Sequence, residues 1–469
     1  MTSTPARETK EFPKPIPLKK LIGPSFVILA LGLGSGEVIL WPYLASNYGL
    51  GIAWGALLGI TFQYFINMEI ERYALVRGES VFVGLGKLWR WAPLWFIFST
   101  FIGFGLPGII AASAHVFSSL VGIESFEWVA IVFLVCIGLI LSSGKTVYGL
   151  MEKLTRSIIL IGVPLIFLLT VLLSHKADWA ALASGIIGQG EGYAFFPEGL
   201  AIATFLAAFA YSGAGGNLNL TQSIYVKEKG YGMGKYAMKL TGLFQKGGTR
   251  EQMRLEGTDF EDTPQARERF RVWWRRVSIE HAIVFWFIGG LSILLLMLLA
   301  YTTAFELNGN GQGISFVLKE GLAIGHVLTP AIGSAFLLIV TVMLFQTQLG
   351  VMDSTSRIMS ENAAIGYMRA KQETSVPLSK IYYGFLWGQI AFGILLFLLG
   401  FSEPKFLLVL GACLNAISMF VHIGLVSILN YRSLPKFYQP SFLRRILLGC
   451  IFLVFGVFSG VVICGALPF

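Results

Sequence analysis

Eleven apolar stretches, each about long enough to cross a bilayer as a helix, limit what this chain of 469 residues can fold into. A helix needs about 20 predominantly apolar residues to span the hydrocarbon core. Hydrophobic residues make up 55% of the sequence and charged residues 13%, whereas soluble domains carry about 25% charged residues. The sequence therefore predicts an all-α integral membrane protein. The predicted spans are 22–46, 51–71, 93–121, 127–143, 157–174, 199–226, 278–301, 328–352, 381–400, 406–430 and 446–466.

Lysine and arginine residues are distributed very unequally between the two sides of these spans. Of the 35 basic residues, 32 fall on one side, beginning with the tail 1–21, and only Lys176, Lys319 and Lys405 fall on the other. Basic residues accumulate on the cytoplasmic side of membrane proteins. The pattern predicts a cell (plasma or inner) membrane protein with a cytoplasmic N-terminus and its C-terminus outside. The net charge of +9 is explained by this orientation and does not indicate nucleic-acid binding.

Two glycine-rich breaks interrupt the first and sixth spans. The first is Gly34-Ser35-Gly36-Glu37, and the second covers residues 213–217. Unpaired backbone groups at membrane depth are tolerated only where they face protein or a polar cavity, and an ionisable residue there is a candidate functional residue. The alternative is that these glycines only allow helices to pack closely.

The two broken spans enter the membrane from opposite sides, which predicts an inverted repeat. Residues 22–174 would form the first repeat, 199–430 the second, and 446–466 an appended eleventh helix. Paired broken helices in two halves of a chain indicate the central site of a secondary transporter, near the membrane midplane. The second repeat includes the polar segment 227–277, which is either a helix lying on the anionic inner leaflet or a solvated cytoplasmic connector.

Several stretches resemble the natural-resistance-associated macrophage protein (Nramp) family. They are Gly23-Pro24 at the start of the first span, 48–54 (Tyr-Gly-Leu-Gly-Ile-Ala-Trp), 218–220 (Leu-Asn-Leu) after the second break, and the polar run between Gln346 and Glu361. The resemblance implies a LeuT-like fold with two inverted five-helix repeats, helices one to five and six to ten. It also implies a protein that moves divalent metal together with protons.

The two breaks differ from the family pattern at the metal-binding positions. The family has Asp-Pro-Gly-Asn at the first break, where this chain has Gly34 at the Asp position and Glu37 at the Asn position. The family has Met-Pro-His at the second break, where this chain has Gly215, Gly216 and Asn217. The resemblance therefore implies a divergent relative with Glu37 and Asn217 as metal ligands. Without the sulfur ligand that favours transition metals, the remaining oxygen ligands suit harder cations such as Mg²⁺.

Glu37 is the strongest candidate, as cation ligand, proton carrier or both. The alternative is a carboxylate that only caps the following half-helix, whose N-terminus favours negative charge. The full set of predicted substrate-binding residues is Gly34, Ser35, Gly36, Glu37, Ser212, Gly215, Gly216, Asn217 and Gln346.

Five residues are candidates for proton coupling or gating. They are Glu37, His115, Asp353, Arg357 and His422. Histidine titrates near physiological pH, which suits a proton relay, although a neutral packing histidine is the alternative for each one. Asp353 and Arg357 are four residues apart on a predicted helix, so the alternative for them is a simple ion pair at the inner rim.

These features predict a secondary-active transporter that takes up a divalent metal cation with protons by alternating access. The substrates would be the cation and the proton, in a lipid bilayer, with no cofactor, no nucleic acid and no obligate protein partner; an enzyme is not expected. One alternative is a carrier of a small organic solute such as an amino acid or amine, whose carboxylate a half-helix N-terminus binds. A non-transporting receptor or scaffold is the third class.

Overall fold

A computed structural model describes residues 9–18, 21, 23–32, 34–143, 147–238, 254–305, 314–373 and 375–466; the side chains of Ser35 and of several residues in 147–159 and 465–466 lie outside this description. The described chain is helical apart from turns and two isolated β-bridges. The α-helices are α1 Pro24–Gly32, α2 Trp41–Tyr48, α3 Ala53–Arg77, α4 Val81–Leu88, α5 Ala92–Phe104, α6 Gly108–Val121, α7 Phe126–Ser143, α8 Val147–Leu173, α9 Lys176–Ile186, α10 Ile202–Ala210, α11 Thr221–Lys229, α12 Pro264–His281, α13 Gly289–Ala304, α14 Ser315–Val327, α15 Pro330–Lys371, α16 Leu378–Leu398, α17 Pro404–Ser433 and α18 Phe442–Ala466.

The helices confirm the all-α membrane class. Within the described ranges, nine helical segments are long and apolar enough to cross a membrane, and a tenth is obtained if the bent pair Leu160–Leu173 and Lys176–Ile186, with its angle of 119°, is counted as one span. The sixth predicted span is absent from this set because its break divides it into the short helices α10 and α11. The nine are Pro24–Tyr48, Leu50–Arg77, Ala92–Val121, Phe126–Ser143, Pro264–Ala304, Pro330–Lys371, Leu378–Leu398, Pro404–Ser433 and Phe442–Cys464.

Three long helices begin with the same N-terminal capping arrangement. Thr263, Thr329 and Glu403 stand at the N-caps of α12, α15 and α17, and each side chain accepts a hydrogen bond from a backbone N–H of the first turn. A proline follows each cap, where its missing N–H costs nothing. These boundaries are therefore set by the residues themselves and not by packing alone.

The broken helices lie at the centre of the bundle. Every residue of α1 is buried, and α1 packs against α8, α11 and α15. The second break is enclosed by α3, α5 and α17. In contrast, α18 packs mainly on α17 and exposes most of its surface at the periphery. The helices that enclose the breaks thus remove them from lipid, as the unpaired backbone groups require.

Two segments of the described chain form π-helical turns. The first, Ser35–Leu40, follows Gly34, and the second, Ala282–Ile288, connects α12 to α13. The first break is therefore narrower than the sequence indicates: Gly34, with φ −148° and ψ −78°, carries the irregular backbone, and Glu37 lies on a widened helical turn. Single π-turns within helices are frequent at functional sites.

The polar segment 227–277 is described only in part, and its residues 239–253 lie outside the description. From Pro264 onward it belongs to α12, which continues directly into the seventh span. Asp262 precedes α12 and accepts two hydrogen bonds from Arg267, at 2.9 and 2.8 Å, and one from the Tyr438 hydroxyl at 3.0 Å. The hydrogen-bonded Arg267 guanidinium lowers the pKa of the Asp262 carboxyl. This cluster anchors the start of α12 to the connection between α17 and α18.

Candidate substrate-binding site

The two glycine breaks touch each other. A methyl group on Gly36 would overlap the carbonyl oxygen of Tyr211 and lie 2.6 Å from its carbonyl carbon. A methyl group on Gly32 would lie 2.5 Å from Glu37 Oε1 and 2.7 Å from the carbonyl carbon of Gly213. The glycines are needed here because the backbones approach too closely for any Cβ, and this places the Glu37 carboxylate between the two breaks.

Glu37 is fully buried. Neither carboxylate oxygen has a hydrogen-bond partner in another residue of the described chain. Gly34, at the N-cap of the π-turn, has no side chain that could cap the backbone N–H groups of this turn. An ionisable group buried without a partner is costly and calls for a ligand or a proton.

The backbone of the second break depends on glycine and on one glutamine from a neighbouring helix. Gly213, Gly215 and Gly216 have φ values of +130°, +70° and +51°, a region that side chains disfavour. Gln63 on α3 donates a hydrogen bond from Nε2 to the carbonyl oxygen of Ala210 at 3.0 Å and accepts one at Oε1 from the N–H of Gly215 at 3.0 Å. Gln63 therefore satisfies backbone groups that the break leaves unpaired, and it is not among the residues predicted from the sequence.

Asn217 lies in the 3₁₀ turn Gly216–Leu220 that follows the second break. Its Nδ2 donates hydrogen bonds to Ser99 Oγ at 2.8 Å and to Thr100 Oγ1 at 3.0 Å, both at the middle of α5. Its Oδ1 is buried and has no partner within the described residues. Because both amide donor contacts are fixed by α5, the orientation of the free oxygen is fixed as well.

A second amide, Asn415 on α17, has the same arrangement and was not identified from the sequence. Its Nδ2 donates to the carbonyl oxygen of Gly103 at 2.9 Å and to the Tyr211 hydroxyl at 2.8 Å. Its Oδ1 adjoins Gly216 and has no partner in the described part of the chain. The sequence signal that could have identified it is an asparagine inside the apolar span 406–430.

The other predicted substrate-binding residues surround these groups. Ser212 Oγ accepts a hydrogen bond from Trp41 Nε1 at 2.9 Å, which joins the two broken spans. Gly34 faces Thr347 on α15, and Thr347 Oγ1 donates to the carbonyl oxygen of Ala30 at 3.1 Å. Gln346, the neighbour of Thr347, is also buried. For Ser35, only the backbone is described.

A cation at this site would meet oxygen atoms. No group of three or more His, Cys, Asp or Glu residues in the described ranges is arranged to hold a metal ion. The donors that the breaks offer are one carboxylate, amide oxygens and backbone carbonyls, a set that suits hard cations. The predicted metal ligands Glu37 and Asn217 remain a prediction.

The predicted gating pair is buried inside a larger ionic cluster. Arg357 Nε lies 2.9 Å from Asp353 Oδ1, as the spacing of four residues predicts, and a second guanidinium nitrogen lies 2.5 Å from Glu228 Oε1. The Tyr382 hydroxyl donates to Asp353 Oδ1 at 2.8 Å. The cluster is not at an exposed rim, because α11 and α16 close over it: Glu228 belongs to α11 and Tyr382 to α16.

The two candidate histidines lie on different helices. His115 on α6 is partly buried and packs edge-on against Phe126 at 5.1 Å. His422 on α17 is fully buried, and neither ring nitrogen has a partner within the described residues. In the described part of the chain, no hydrogen bond or ring contact joins either histidine to a break, so their role in proton coupling stays a prediction.

Comparison with known proteins shows the fold. No protein-family model and no curated protein sequence matches this chain. Among solved structures, a variant of the manganese transporter of Eremococcus coleocola matches with a TM-score of 0.69 and 11% identity, covering 100% of this chain and 93% of that one. The same transporter in complex with an aromatic bis-isothiourea substituted compound matches with a TM-score of 0.65, 10% identity and coverages of 98% and 90%.

A third match lies outside the manganese transporters. Mhp1, a nucleobase-cation-symport-1 family transporter in a closed conformation with bromovinylhydantoin bound, matches with a TM-score of 0.54 and 12% identity, covering 98% of this chain and 92% of that one. At these low sequence identities, the matches are evidence for the fold alone. They confirm the fold predicted from the sequence, a LeuT-like bundle of inverted repeats with an eleventh helix, and they confirm the resemblance to Nramp-type proteins at the level of the fold.

Proposed function

We propose that this chain is a secondary-active transporter, not an enzyme, that moves a divalent metal cation together with protons across the cell membrane by alternating access. The observation that carries the proposal is the Glu37 carboxylate, which lies buried and unpartnered between two touching helix breaks. A fixed negative charge in that position is stabilised by a bound cation or proton. The shared fold with a manganese transporter supports a metal as the substrate.

The ligand chemistry favours a hard cation. The breaks carry no methionine or cysteine, and the atoms left for coordination are oxygens of Glu37, Asn217 and the freed backbone. Oxygen sites suit Mg²⁺ and Mn²⁺, whereas soft thiolate and thioether ligands select for softer metal ions such as Cu⁺ and Zn²⁺. Transport of Cd²⁺ with high affinity, combined with no response to Mg²⁺ or Mn²⁺, would contradict this reasoning.

A carrier of a small organic solute is the competing function, and Mhp1 shows that this fold also binds an organic ligand. The packing at the breaks favours the ion. Gly32, Gly34 and Gly36 each face atoms of the neighbouring segments so closely that not even a methyl group fits beside them. A single cation needs only the carboxylate and nearby oxygens, whereas an amino acid or amine needs a wider space.

Reconstitution into liposomes tests both functions. We expect wild-type protein to take up Mg²⁺ or Mn²⁺ and not amino acids or amines, and Glu37→Gln to abolish cation uptake, since glutamine keeps the size but not the charge. The control is Glu320→Gln, which neutralises another buried carboxylate, on α14. Cation uptake at the wild-type rate by Glu37→Gln would show that Glu37 is only a helix cap. If the wild-type protein took up an organic solute and no cation, the proposal of a cation substrate would be refuted.

A further inference from the structure

A second cluster of buried ionisable groups lies where α1 meets the end of α12. Ser25, in the first turn of α1, has its Oγ 2.5 Å from Glu280 Oε2 and 2.8 Å from His281 Nδ1. All three residues are buried. Ser25 is 255 residues from Glu280 along the chain, so the fold brings these groups together.

Proton counting fixes how the three groups are linked. A serine hydroxyl has one proton to donate, and a carboxylate can only accept. When Glu280 is ionised, Ser25 therefore donates to Glu280 Oε2, and His281 donates its Nδ1 proton to Ser25 Oγ. His281 Nε2 is then left with a free lone pair.

The two ends of this hydrogen-bonded chain are open. Glu280 Oε1 and His281 Nε2 are buried and have no partner in the described residues. The imidazole is held by rings on both sides, with centroid distances of 5.6 Å to Tyr64 and 4.8 Å to Phe285. A π-helical turn, Ala282–Ile288, begins directly after His281. Buried polar atoms without a hydrogen-bond partner destabilise the fold, so their presence here calls for a functional explanation.

The charged groups around Glu280 come from two neighbouring helices. Glu71 on α3 and Lys229 on α11 both interact electrostatically with it. Glu71 also accepts a hydrogen bond from Gln222 on α11 at 3.4 Å. Two other segments that adjoin the cluster, Pro24–Gly32 and Ala282–Ile288, contain no titratable residue.

We propose that Ser25, Glu280 and His281 form a proton relay and that this relay is the site where the coupling proton binds. The inference rests on the proposed function. A proton arrives at the lone pair of His281 Nε2, His281 passes its Nδ1 proton to Ser25 Oγ, and Ser25 passes its own proton to Glu280. The result is a neutral Glu280 carboxylic acid, an unchanged serine and a neutral imidazole protonated at Nε2, with one proton gained in total.

The order of the groups separates this relay from nucleophilic chemistry. A serine nucleophile needs a base that removes its proton while a third group orients the base. Here the serine lies between the histidine and the carboxylate and bridges them. Ser25 is thus the link through which the proton passes, and neither of its partners orients the other.

Liposomes that contain a pH-sensitive dye test the relay, with Mg²⁺ or Mn²⁺ as the driving cation. We expect Ser25→Ala and Glu280→Gln to keep downhill cation flux but to reduce cation-driven proton flux to the level of protein-free liposomes. Ser25→Thr keeps the hydroxyl and should restore proton flux. Glu320→Gln, the neutralised carboxylate on α14, should retain both fluxes. Unchanged proton flux in Ser25→Ala and Glu280→Gln would overturn the proposal.

A spectroscopic measurement separates failure of the relay from failure of the proposed function. In infrared difference spectra recorded on lowering the pH, we expect the carbonyl band of a newly protonated carboxylic acid that is lost in Glu280→Gln and kept in Glu320→Gln. If wild-type protein moves no cation but shows this band, the proposed cation transport is refuted, whereas proton binding at the relay is supported. If the band is unaffected by Glu280→Gln, Glu280 is not the proton acceptor and the relay is refuted.

Discussion

Replacing Gly36 by alanine tests the contact between the two breaks, on which the candidate site depends. The added Cβ would overlap the Tyr211 carbonyl oxygen, and it would lie 2.6 Å from the Tyr211 carbonyl carbon and 3.0 Å from the Tyr211 Cβ. Carbon atoms in favourable contact are about 3.5–4.0 Å apart. These are mostly backbone atoms, which cannot rotate away as the end of a side chain can. To clear the carbonyl oxygen, the segments must separate by roughly 1.5 Å.

The expected cost follows from two opposing terms. Overpacking a tight contact costs about 1–3 kcal/mol, and the backbone atoms at Gly36 favour the upper end of that range. Alanine is preferred over glycine in a helix by about 1 kcal/mol, which offsets part of the cost. We therefore expect Gly36→Ala to destabilise the folded protein by about 2 kcal/mol.

Thermal unfolding followed by tryptophan fluorescence measures this effect, and Gly384→Ala provides a matched control. Gly384 lies in α16, and a Cβ there meets no atom within 4 Å. Only the helix preference of alanine acts at that position, so its melting temperature should stay equal or rise. We expect Gly36→Ala to melt lower and to lose cation uptake. If both variants melted alike and transported at the wild-type rate, the breaks would not be in contact.

Two further predictions concern ionic groups at other positions. Arg357→Met leaves Asp353 and Glu228 buried without their guanidinium partner, which costs about 3–5 kcal/mol. We therefore expect a large fall in melting temperature and in the yield of folded protein; wild-type stability would show that Arg357 contributes nothing to stability. Asp262→Asn should melt slightly below wild type near neutral pH. Arg267 lowers the pKa of Asp262 in the folded protein. The stability that ionised Asp262 contributes is therefore fully present above its unfolded pKa and is lost as the pH falls through the lowered folded pKa. If the pairing were irrelevant, the difference in melting temperature between Asp262→Asn and wild type would not change with pH.

The spans and breaks could be predicted from the sequence because their signals are local. A run of about 20 apolar residues is sufficient for a membrane helix, and two glycines beside an acid are sufficient to mark Gly34–Glu37. Even here the form of the break was not predictable. The π-turn Ser35–Leu40 depends on how α13 and α15 pack against it, and hydropathy contains no information about that packing.

The residues that complete the site could not be predicted, because their partners are distant in the chain. Gln63 supports a carbonyl 147 residues away, and Asn415 hydrogen-bonds to a carbonyl 312 residues away. Glu280 and His281 fall just inside the predicted span 278–301, where they resemble ordinary interfacial charges. Only the fold reveals that Ser25 lies between them. A polar residue inside an apolar span is thus a local signal for function, but its role requires the tertiary contacts.

Helix α1 physically connects the proposed proton relay to the candidate substrate site. It has nine residues, which corresponds to about 14 Å of helix, with Ser25 in its first turn and Glu37 just beyond its last. With Glu280 ionised, the bond from Ser25 is charge-assisted and contributes about 1.5–3 kcal/mol, whereas the neutral bond after protonation contributes about 0.5–1.5 kcal/mol. Proton binding therefore weakens the attachment of α1 to α12 by about 1 kcal/mol, a roughly five-fold change in the population of a state in which α1 has moved.

Linkage makes this effect reciprocal. If a cation at Glu37 favours one position of α1, it must change the proton affinity of the relay by the same factor as the proton changes the cation affinity. Ser25→Ala removes the bond whose strength depends on protonation while both titratable groups remain. Cation affinity can be measured on purified protein at two pH values, one above and one below protonation of the relay. We expect this affinity to depend less on pH in Ser25→Ala than in Ser25→Thr. Identical pH dependence in the two variants would mean that α1 does not connect the sites.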